Sequence, residues 1–456
     1  MKQHQPGQWA LPPDRAEEGF ADKKPLYTEG EAVAEASRCL YCSDAPCIQA
    51  CPTSIDIPTF IRKIGTGNVK GAARTILSAN LLGQSCAQVC PVEVLCAGSC
   101  VYTRWGREPI AIGRLQRYAV ETTLSKDPGL FQARPATDKR IALVGSGPAS
   151  IAAAGLLALE GHTCILYERK ALPGGLNTLG IAPYKFKGVE ALRELEWILS
   201  LGRIELRTGV EVVERATGPG QVSAAELLAS HDAVFLGLGL GADSRLGIPG
   251  EEGEGVHGAT HLIERLKTEP GLRLEGVQRA VVIGGGNTAL DIAHELALLG
   301  VEVALVYRRS EEEMGGYVHE LASARLDGVR LVENRQLVEI LREDGRVVAV
   351  RLAATREGRP VPGTGEVLPA ELIAVAIGQD RATHVARAFP GVELDERGRV
   401  TVEPTTHRTG HPKVWSGGDC VNGGKEVVNA VAEAKIAVRD IQRHLVGSED
   451  HGRSVD

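Results

Sequence analysis

The spacing of hydrophobic positions divides this chain of 456 residues into two parts. Between Thr28 and Glu121, apolar residues recur every three or four positions, as in "IPTFIRKI" and "IGRLQRYAVETTL". That spacing predicts amphipathic helices, and no stretch in this part alternates as a half-buried strand would. After the linker "SKDPGLFQARPATDK", apolar strands, glycine turns and helical stretches follow one another. This order is typical of βαβ units built on a parallel sheet.

The sequence of strand, glycine turn and helix begins twice, at "RIALVGSGPAS" and at "RAVVIGGGNTALD". We therefore predict an α/β protein in which an N-terminal helical domain, residues 1–135, precedes two Rossmann-like nucleotide-binding domains. The second Rossmann-like domain, residues 251–370, is expected to be inserted in the first, which residues 136–250 and 371–456 form together.

Composition narrows the class of protein. Hydrophobic residues make up 43% of the chain, enough for several packed cores, and the net charge of -7 argues against a nucleic-acid partner. The N-terminus lacks a basic segment followed by an apolar run, and no stretch reaches the ~18 apolar residues of a membrane span. We expect a cytoplasmic protein, in which cysteines stay reduced and serve metal binding or catalysis.

Eight of the ten cysteines lie between Cys39 and Cys100. The segment "CLYCSDAPCIQACP" holds a CxxC pair, then Cys47, then Cys51 directly before a proline, and Cys86, Cys90 and Cys96 follow after a helical gap. This resembles the cysteine run of ferredoxins, and eight thiols suit two [4Fe-4S] clusters. The spacing alone leaves two alternatives open, a pair of zinc sites or buried free cysteines.

The first glycine turn carries a dinucleotide-binding fingerprint in its expected setting. Its candidate residues follow the strand "IALVG" and open a helix: Gly145, Gly147, Pro148, Ala149 and Ser150. The next strand ends at Glu168, which is followed by Arg169, and an acid in that place binds ribose hydroxyl groups. Ser150 replaces the third glycine and should hold the helix slightly further from the strand. We expect FAD here; an ordinary tight turn is the alternative.

The second glycine turn also follows an apolar strand, and its candidate residues are Gly284, Gly286, Asn287, Thr288 and Ala289. Aligning "ILYERK" with "LVYRRS" places Arg308 opposite Glu168, with Arg309 next to it. Two arginines can bind a 2'-phosphate that an acid would repel. The pair therefore favours NADP(H) over NAD(H), unless it is only a solvated strand end.

Two further candidates lie towards the C-terminus. Gly378 ends the apolar strand "ELIAVAIG", and "VWSGGDC" places Gly418 and Asp419 in a turn before a helix, where a carboxylate can accept hydrogen bonds from cofactor hydroxyls. A nicotinamide site, a flavin site and a cluster domain in one chain indicate a path for electrons from NAD(P)H through FAD to iron–sulfur clusters. Hydride transfer to a flavin needs little acid–base catalysis, so we assign no general base.

Several segments together resemble one family of flavin and iron–sulfur subunits: "CLYCSDAPCIQACPTSIDIP", "CPVEVLCAGSC", "PIAIGRLQRYAVE", "GSGPAS" and "SGGD". That family includes the N-terminal half of dihydropyrimidine dehydrogenase, its bacterial PreT-type subunit, and the glutamate synthase small subunit. The resemblance implies that one cluster is bound by Cys39, Cys42, Cys47 and Cys100. It implies that the other is bound by Cys51, Cys90, Cys96 and Gln116, although spacing alone would have included Cys86.

The same resemblance suggests the branch and the partner. Gln116, "CSDAPC" and Ser150 favour the pyrimidine branch, whereas "GGLNTLGIAPYKFKG" departs from it and has Lys185 where an FAD-contacting arginine is expected. Gly175 and Leu176 in that turn are further candidate cofactor contacts. Because the sequence ends at Asp456 without an FMN barrel, we expect an FMN-containing, PreA-type partner subunit that reduces uracil and thymine.

Two other functions stay open. The chain could instead be the small subunit of glutamate synthase, which feeds electrons to a glutamate-forming amidotransferase. It could also be a stand-alone flavin reductase in which zinc has a structural role. A disulfide reductase would need a CxxC pair beside the flavin, and the sequence has none outside the N-terminal domain.

Overall fold

The structure is a computed structural model that describes residues 7–446. The part up to the linker is helical, as predicted. Its helices are α1 (Glu29–Ala36), α2 (Pro46–Gln49), α3 (Ile57–Gly65), α4 (Val69–Ala79), α5 (Gly83–Val89), α6 (Val101–Arg104) and α7 (Ile112–Leu124). A short 3-10 helix, Ala16–Gly19, precedes them. Helix α3 shows how the apolar spacing acts: Asp56 caps its first turn by accepting a hydrogen bond from the Thr59 N–H at 3.1 Å, and the face with Phe60 and Ile64 is buried.

The first Rossmann domain begins at Arg140. Its elements up to the insertion are β1 (Arg140–Val144), α8 (Pro148–Leu159), β2 (Thr163–Glu168), α9 (Leu176–Leu179), α10 (Gly188–Leu199), β3 (Ile204–Thr208), β4 (Glu211–Val213), β5 (Gln221–Ser223), α11 (Ala224–Ser230) and β6 (Ala233–Leu236). After the insertion, the chain adds α15 (Thr383–Arg387), β16 (Val414–Ser416), α16 (Asp419–Asn422) and α17 (Val427–Val446). The main sheet is parallel, in the order β16, β6, β1, β2, β3.

The second Rossmann domain lies between these two segments. It comprises β7 (Val256–Gly258), α12 (Ala259–Thr268), β8 (Arg279–Ile283), α13 (Asn287–Leu298), β9 (Glu302–Val306), α14 (Val318–Leu326), β10 (Arg330–Val332), β11 (Arg335–Glu343), β12 (Arg346–Arg356), β13 (Arg359–Pro360), β14 (Glu366–Pro369) and β15 (Leu372–Val375), with a 3-10 turn at Glu311–Glu313. A parallel sheet has the order β10, β9, β8, β15, β7, and β11 to β14 form an antiparallel sheet beside it. Central strands such as β8 are nearly all apolar because helices or sheet cover both faces.

The insertion is visible where the chain crosses between the two domains. The outgoing and returning segments run side by side, with the Gly241 N–H donating to the Asp380 carbonyl oxygen at 2.7 Å and the Ser244 N–H donating to that of Gly378 at 2.9 Å. The predicted boundary at residue 371 is wrong in one respect. Strand β15 pairs with β8 and β7, so the second domain extends through Val375, because the apolar stretch completes that sheet rather than starting the return.

The predicted helical domain also needs a correction at its start. Residues near Glu17 lie against both Rossmann domains: a Glu17 carboxylate oxygen accepts from the Gly188 N–H at 2.6 Å and lies 3.5 Å from the Lys267 ammonium. Lys267 is fully buried and needs this counter-charge. The predicted domain 1–135 therefore combines the helices with an N-terminal segment that packs against the Rossmann domains. Residues 1–6 and 447–456 of the predicted domains lie outside the described part of the sequence.

One hydrophobic core joins the helical domain to the first Rossmann domain. It contains Phe60 and Leu115 from the helices together with Leu157 of α8 and Ile441 of α17. Helix α17 lies along α8, and Leu81 packs so close to Gly155 that a Cβ there would lie 2.6 Å from the Leu81 Cδ1. Because close-packed interiors resist deformation, this core fixes the cysteine loops relative to the first Rossmann domain.

Candidate functional site

A cavity of about 1620 Å³ lies between the two Rossmann domains, and both glycine turns line it. Eighteen of the residues predicted to bind cofactors line this cleft: Gly145, Gly147, Pro148, Ala149, Glu168, Arg169, Gly175, Leu176, Lys185, Gly284, Gly286, Asn287, Thr288, Arg308, Arg309, Gly378, Gly418 and Asp419. Ser150 and Ala289 are the two predicted residues that do not line it; both are fully buried beneath the turns. The fold therefore brings the two fingerprints to one cleft.

The first turn has the backbone shape that a pyrophosphate group requires. Gly145 has φ +87°, and a Cβ there would lie 2.5 Å from the Gly237 carbonyl oxygen. Gly147 is the N-cap residue of α8, and a Cβ there would meet nothing within 4 Å. The space beside Gly147 thus opens onto the cleft at the positive end of a 12-residue helix, which suits a phosphate group.

Ser150 takes the place of the third glycine without opening the turn. Its side chain lies directly against Gly237, where a Cβ would collide with the Ser150 hydroxyl group. The glycine at position 237 therefore supplies the closeness of helix and strand that a third glycine usually supplies. The Ser150 hydroxyl oxygen is buried and has no hydrogen-bond partner among residues 7–446.

The Glu168 carboxylate is fixed by the turns around it. One oxygen accepts from the Ser146 N–H at 3.0 Å and the Ser146 hydroxyl at 2.6 Å, and the other accepts from the Lys170 N–H at 2.8 Å. Ser146 also accepts from the Gly174 N–H at 3.0 Å, which joins the fingerprint to the second glycine turn. These bonds hold the carboxylate at the carboxyl end of β2, where ribose hydroxyl groups are bound in this fold.

The second glycine turn has the same features as the first, a glycine with positive φ and open space beside the N-cap residue of the following helix. Gly284 has φ +150°, and the space beside Gly286, the N-cap residue of α13, contains no atom within 4 Å of an added Cβ. The Asn287 side-chain oxygen accepts from the Tyr317 N–H at 2.9 Å, so it is committed to the protein. The turn and the start of α13 offer a second place for a pyrophosphate group.

Arg308 and Arg309 lie at the carboxyl end of β9 and differ in their surroundings. Arg308 is exposed, and its guanidinium makes no ion pair within the described part of the chain. Arg309 is half-buried, lies over the Tyr307 ring at 5.5 Å and approaches Glu313 at 3.8 Å. Arg308 is therefore the freer of the two to bind a phosphate group.

The turn before α17 closes the cleft from the other side. The Asp419 carboxylate accepts from the Lys425 N–H at 3.1 Å, and burial raises the pKa of this group. The Gly418 N–H donates to Glu433 at 2.6 Å, which fixes the turn on α17. Asp419 is thus a half-buried acceptor on the cleft surface.

Lys185 forms an ion-pair bridge between the two Rossmann domains. Its ammonium lies 2.6 Å from Asp291 and 2.7 Å from Glu320, both in the second domain. The two carboxylates hold the pKa of Lys185 above its usual value, although burial alone would lower it. Tyr317 makes a second bridge, because its hydroxyl donates to Glu426 of the first domain at 2.8 Å.

The residues predicted for the second cluster come together beneath the cleft. Cys51, Cys90, Cys96 and Gln116 line one small pocket, and so does Cys86. The Gln116 amide nitrogen donates to the Gly83 carbonyl oxygen at 2.7 Å, which leaves the amide oxygen as the atom that could bind iron. The Cys86 thiol accepts from the Asn80 side-chain amide at 3.2 Å.

The other predicted cysteines form a separate group nearer the surface. Burial raises the pKa of the Cys39 thiol, and the neighbouring Cys42 and Cys100 thiols raise it further. Burial and the Cys39 thiol raise the pKa of Cys47 to about 11. Metal binding at these thiols would therefore release protons.

The backbone of the cysteine loops is wound tightly. Tyr41, Ala45 and Ser54 all have positive φ angles, of 50°, 36° and 56°, which are costly for residues other than glycine. Such strain concentrates at ligand sites, where loops turn their atoms towards one centre. In residues 7–446, no three His, Cys, Asp or Glu side chains are arranged to hold a single metal ion.

The cleft and the cluster pocket share a wall. Val89 and Pro91 line the cleft, whereas Cys90 between them lines the pocket. At the start of α17, Val427 faces the cleft and Val428 the pocket. A single turn of chain on each side therefore separates the nucleotide cleft from the second group of cysteines.

Comparison with known families agrees with this arrangement. Residues 15–128 match the domain described as dihydropyrimidine dehydrogenase domain II, 4Fe-4S cluster. Residues 139–434 match the pyridine nucleotide-disulphide oxidoreductases. The chain belongs to the pyridine nucleotide-disulphide oxidoreductase family. The first match favours iron–sulfur over zinc in the helical domain, and the order of domains predicted from sequence is confirmed.

Two relatives known from their sequences match nearly the whole chain. The glutamate synthase [NADPH] small chain of Halomonas elongata is 33% identical, over 93% of each protein. The NAD-dependent dihydropyrimidine dehydrogenase subunit PreT of Escherichia coli is 34% identical, over 93% of this chain and 97% of that protein. The crystal structure of T. acidophilum thioredoxin reductase shares the fold, with a TM-score of 0.53 and 20% identity over 68% of this chain and all of that one.

This chain is an NAD(P)H-dependent flavin and iron–sulfur oxidoreductase. The open spaces beside Gly147 and Gly286 fit the two dinucleotides, and the grouped cysteines fit iron–sulfur binding. None of the helices within residues 7–446 combines the length and the apolar character needed to cross a bilayer.

The sequence interpretation missed several residues of the site. Ser146 and Gly237 fix the first turn, and Ser146 could have been found, because it stands between two fingerprint glycines. Tyr317 and Glu426 are 109 residues apart and carry no local signal of their pairing. The sequence also contained no sign that Lys185 pairs with Asp291 and Glu320, since both belong to the other Rossmann domain.

Proposed function

We propose that this chain oxidises NAD(P)H in the cleft and passes the electrons, through two [4Fe-4S] clusters, to a partner subunit. The observation that carries the proposal is the wall shared by the cleft and the cluster pocket, in which Cys90 faces one side while Val89 and Pro91 face the other. A bound flavin takes a hydride from nicotinamide and can release its electrons one at a time. The short separation across Cys90 suits this transfer.

The surface beside the first group of cysteines is the proposed exit. Leu40, next to Cys39, is 47% exposed, and Trp105, just after the helix that starts behind Cys100, is 58% exposed. Tyr102 packs edge-on against Trp105, with the ring centres 5.8 Å apart. Exposed aromatic and large aliphatic side chains are typical centres of protein interfaces. We infer that the partner subunit docks here.

The proposed acceptor is an FMN-containing, PreA-type subunit that reduces uracil and thymine to dihydropyrimidines or runs the reverse reaction. Gln116 supports this branch, because it lines the second pocket together with the three predicted ligands Cys51, Cys90 and Cys96, and also with Cys86. Its amide nitrogen donates to the Gly83 carbonyl oxygen, so its amide oxygen is the atom free to bind iron. The relative named PreT, a subunit of NAD-dependent dihydropyrimidine dehydrogenase, supports it as well.

A second candidate is the small subunit of a glutamate synthase. A relative of that name matches the chain over the same share of its length. Lys185 also stands where the pyrimidine branch is expected to have an arginine, and it pairs with Asp291 and Glu320. In this case the acceptor would be a glutamate-forming amidotransferase.

Reconstitution with candidate partners from the same organism tests the proposal. The anaerobically purified chain should reduce artificial dyes with NAD(P)H, and it should reduce uracil only when mixed with the FMN-containing subunit. Trp105→Ala should slow transfer to the partner and leave dye reduction unchanged, whereas Leu326→Ala, at an exposed apolar residue of the second domain, should affect neither. Glutamate formation with an amidotransferase instead of pyrimidine turnover would establish the second candidate.

A further inference from the structure

Three buried polar side chains form a continuous hydrogen-bonded chain between the cleft and the helix that leads to Cys90. Asn177 in α9 donates through its amide nitrogen to the Ser85 hydroxyl oxygen at 2.9 Å. The Ser85 hydroxyl donates to a carboxylate oxygen of Glu194 in α10. Glu194 also accepts from the Gln84 N–H at 2.7 Å and the Ser85 N–H at 3.2 Å. All three side chains are at most 2% exposed.

At the cleft end of this hydrogen-bonded series, one side-chain atom has no partner. Asn177 lines the cleft, and its side-chain oxygen is buried and accepts no hydrogen bond within the described part of the chain. Buried polar atoms nearly always have partners, so an orphan of this kind needs a specific explanation. A hydrogen-bond donor on a molecule bound in the cleft would supply one.

Glu194, at the other end of the hydrogen-bonded series, determines which side-chain atom Asn177 presents to the cleft. While Glu194 is ionised, it has no proton to give, so Ser85 must donate to it and Asn177 must donate to Ser85. The Asn177 oxygen is then the atom left without a partner at the cleft wall. When Glu194 carries a proton on the oxygen beside Ser85, that proton can be donated to Ser85, and Ser85 can donate to Asn177. The Asn177 amide must then turn over and present its NH₂ group.

We propose that Asn177 is a contact of the flavin ring and that Ser85 and Glu194 position it, so that protonation of Glu194 exchanges the acceptor that Asn177 presents to the flavin for a donor. The proposal rests on the flavin site in the cleft but not on the identity of the partner subunit. Asn177 would touch the cofactor, whereas Ser85 and Glu194 act through it.

The surroundings of Glu194 suit a group that titrates near neutral pH. Burial raises the pKa of Glu194 to about 7, against the opposing effect of the donors in Ser85 and Gln84. On its own helix, Glu190 raises the pKa of Glu194 further, and Arg117 in α7 lies 3.5 Å from Glu190 and offsets its charge. Helices α5 and α9 contribute only neutral groups to this contact, Ser85, Gln84 and Asn177.

Flavin spectra of the holoenzyme test this without turnover. Absorption difference spectra and resonance Raman spectra would be recorded between pH 5.5 and 8.5 for the anaerobically purified wild type and for Glu194→Gln, Ser85→Ala and Glu190→Gln. The flavin bands of the wild type should shift reversibly with an apparent pKa near 7. Glu194→Gln, whose NH₂ group replaces the proton, should show the low-pH spectrum at every pH.

The controls separate positioning from general effects. Ser85→Ala interrupts the hydrogen-bonded series and should abolish the pH dependence of the flavin bands. Glu190→Gln alters a neighbouring charge outside the series and should retain that dependence. Wild-type flavin bands that do not change over this range would overturn the proposal, even if a variant failed to fold. Retention of the wild-type pH profile in Glu194→Gln or in Ser85→Ala would overturn it too. Each result is independent of whether any partner accepts electrons.

Discussion

Replacing Arg308 should weaken the binding of NADPH and leave that of NADH nearly unchanged. Arg308 is exposed at the carboxyl end of β9, lines the cleft and forms no ion pair among the described residues. A hydrogen bond between a guanidinium and a phosphate group is worth ~1.5 to 3 kcal/mol. Because solvent screens an exposed charge, the lower end of that range applies here. We therefore expect Arg308→Ala to raise the Michaelis constant for NADPH by about tenfold.

Arg309 should matter less than Arg308. Its guanidinium already lies over Tyr307 and approaches Glu313 at 3.8 Å, so part of its interaction is made within the protein. The matched control is Arg330→Ala, which removes an exposed arginine at the amino end of the neighbouring strand β10 and should change neither constant. The assay is anaerobic dye reduction at varied NADPH and NADH concentrations. Equal effects of Arg308→Ala on both nucleotides, or a wild-type preference for NADH, would refute the assignment.

Three further predictions follow from the geometry. Gly147→Ala should leave the fold intact and reduce the FAD content of the purified protein, since its Cβ would fill the open space at the start of α8. Gln116→Ala should impair electron transfer to a partner more than dye reduction by the flavin, and unchanged iron content and transfer would contradict its role as a ligand. The folded-state pKa of Glu194, about 7, lies above its ordinary value of 4.5. Stability should therefore fall as the pH rises from about 4.5 to about 7, by ~3 kcal/mol, and Glu194→Gln should remove this dependence in urea denaturation at pH 5 and pH 8.

The features that were predicted correctly from sequence are local ones. The glycine turns, the strands before them and the helices after them depend on residues within about 30 positions, so periodicity and fingerprint spacing were enough to find them. The grouping of Cys39 with Cys100, and of Cys51 with Gln116, rests on family resemblance and stays a prediction. Spacing alone would have placed Cys86 among the ligands, and Cys86 lines the same pocket as Cys51 and Gln116.

The features that were missed depend on contacts between distant parts of the chain. Strand β15 was assigned to the wrong sheet, since an apolar strand carries no label for the sheet that it joins. The bond between Ser85 and Glu194 spans 109 residues, and neither residue stands in a recognisable motif. Glu17 was assigned to the helical domain because of its position in the sequence. In the structure it lies beside the Rossmann domains, where it is the counter-charge of the buried Lys267. Such pairings follow from tertiary packing and not from local pattern.

The most direct test of the proposed electron path is a count of electrons. An anaerobic reductive titration of the purified chain, followed by visible absorption and by electron paramagnetic resonance, measures how many electrons each chain accepts. One flavin and two [4Fe-4S] clusters predict an uptake of about four electrons, with about eight irons and eight sulfides per chain. An uptake of only about two electrons, together with stoichiometric zinc and no sulfide, would show that the flavin is isolated and that the proposed path from the cleft through Cys90 does not exist.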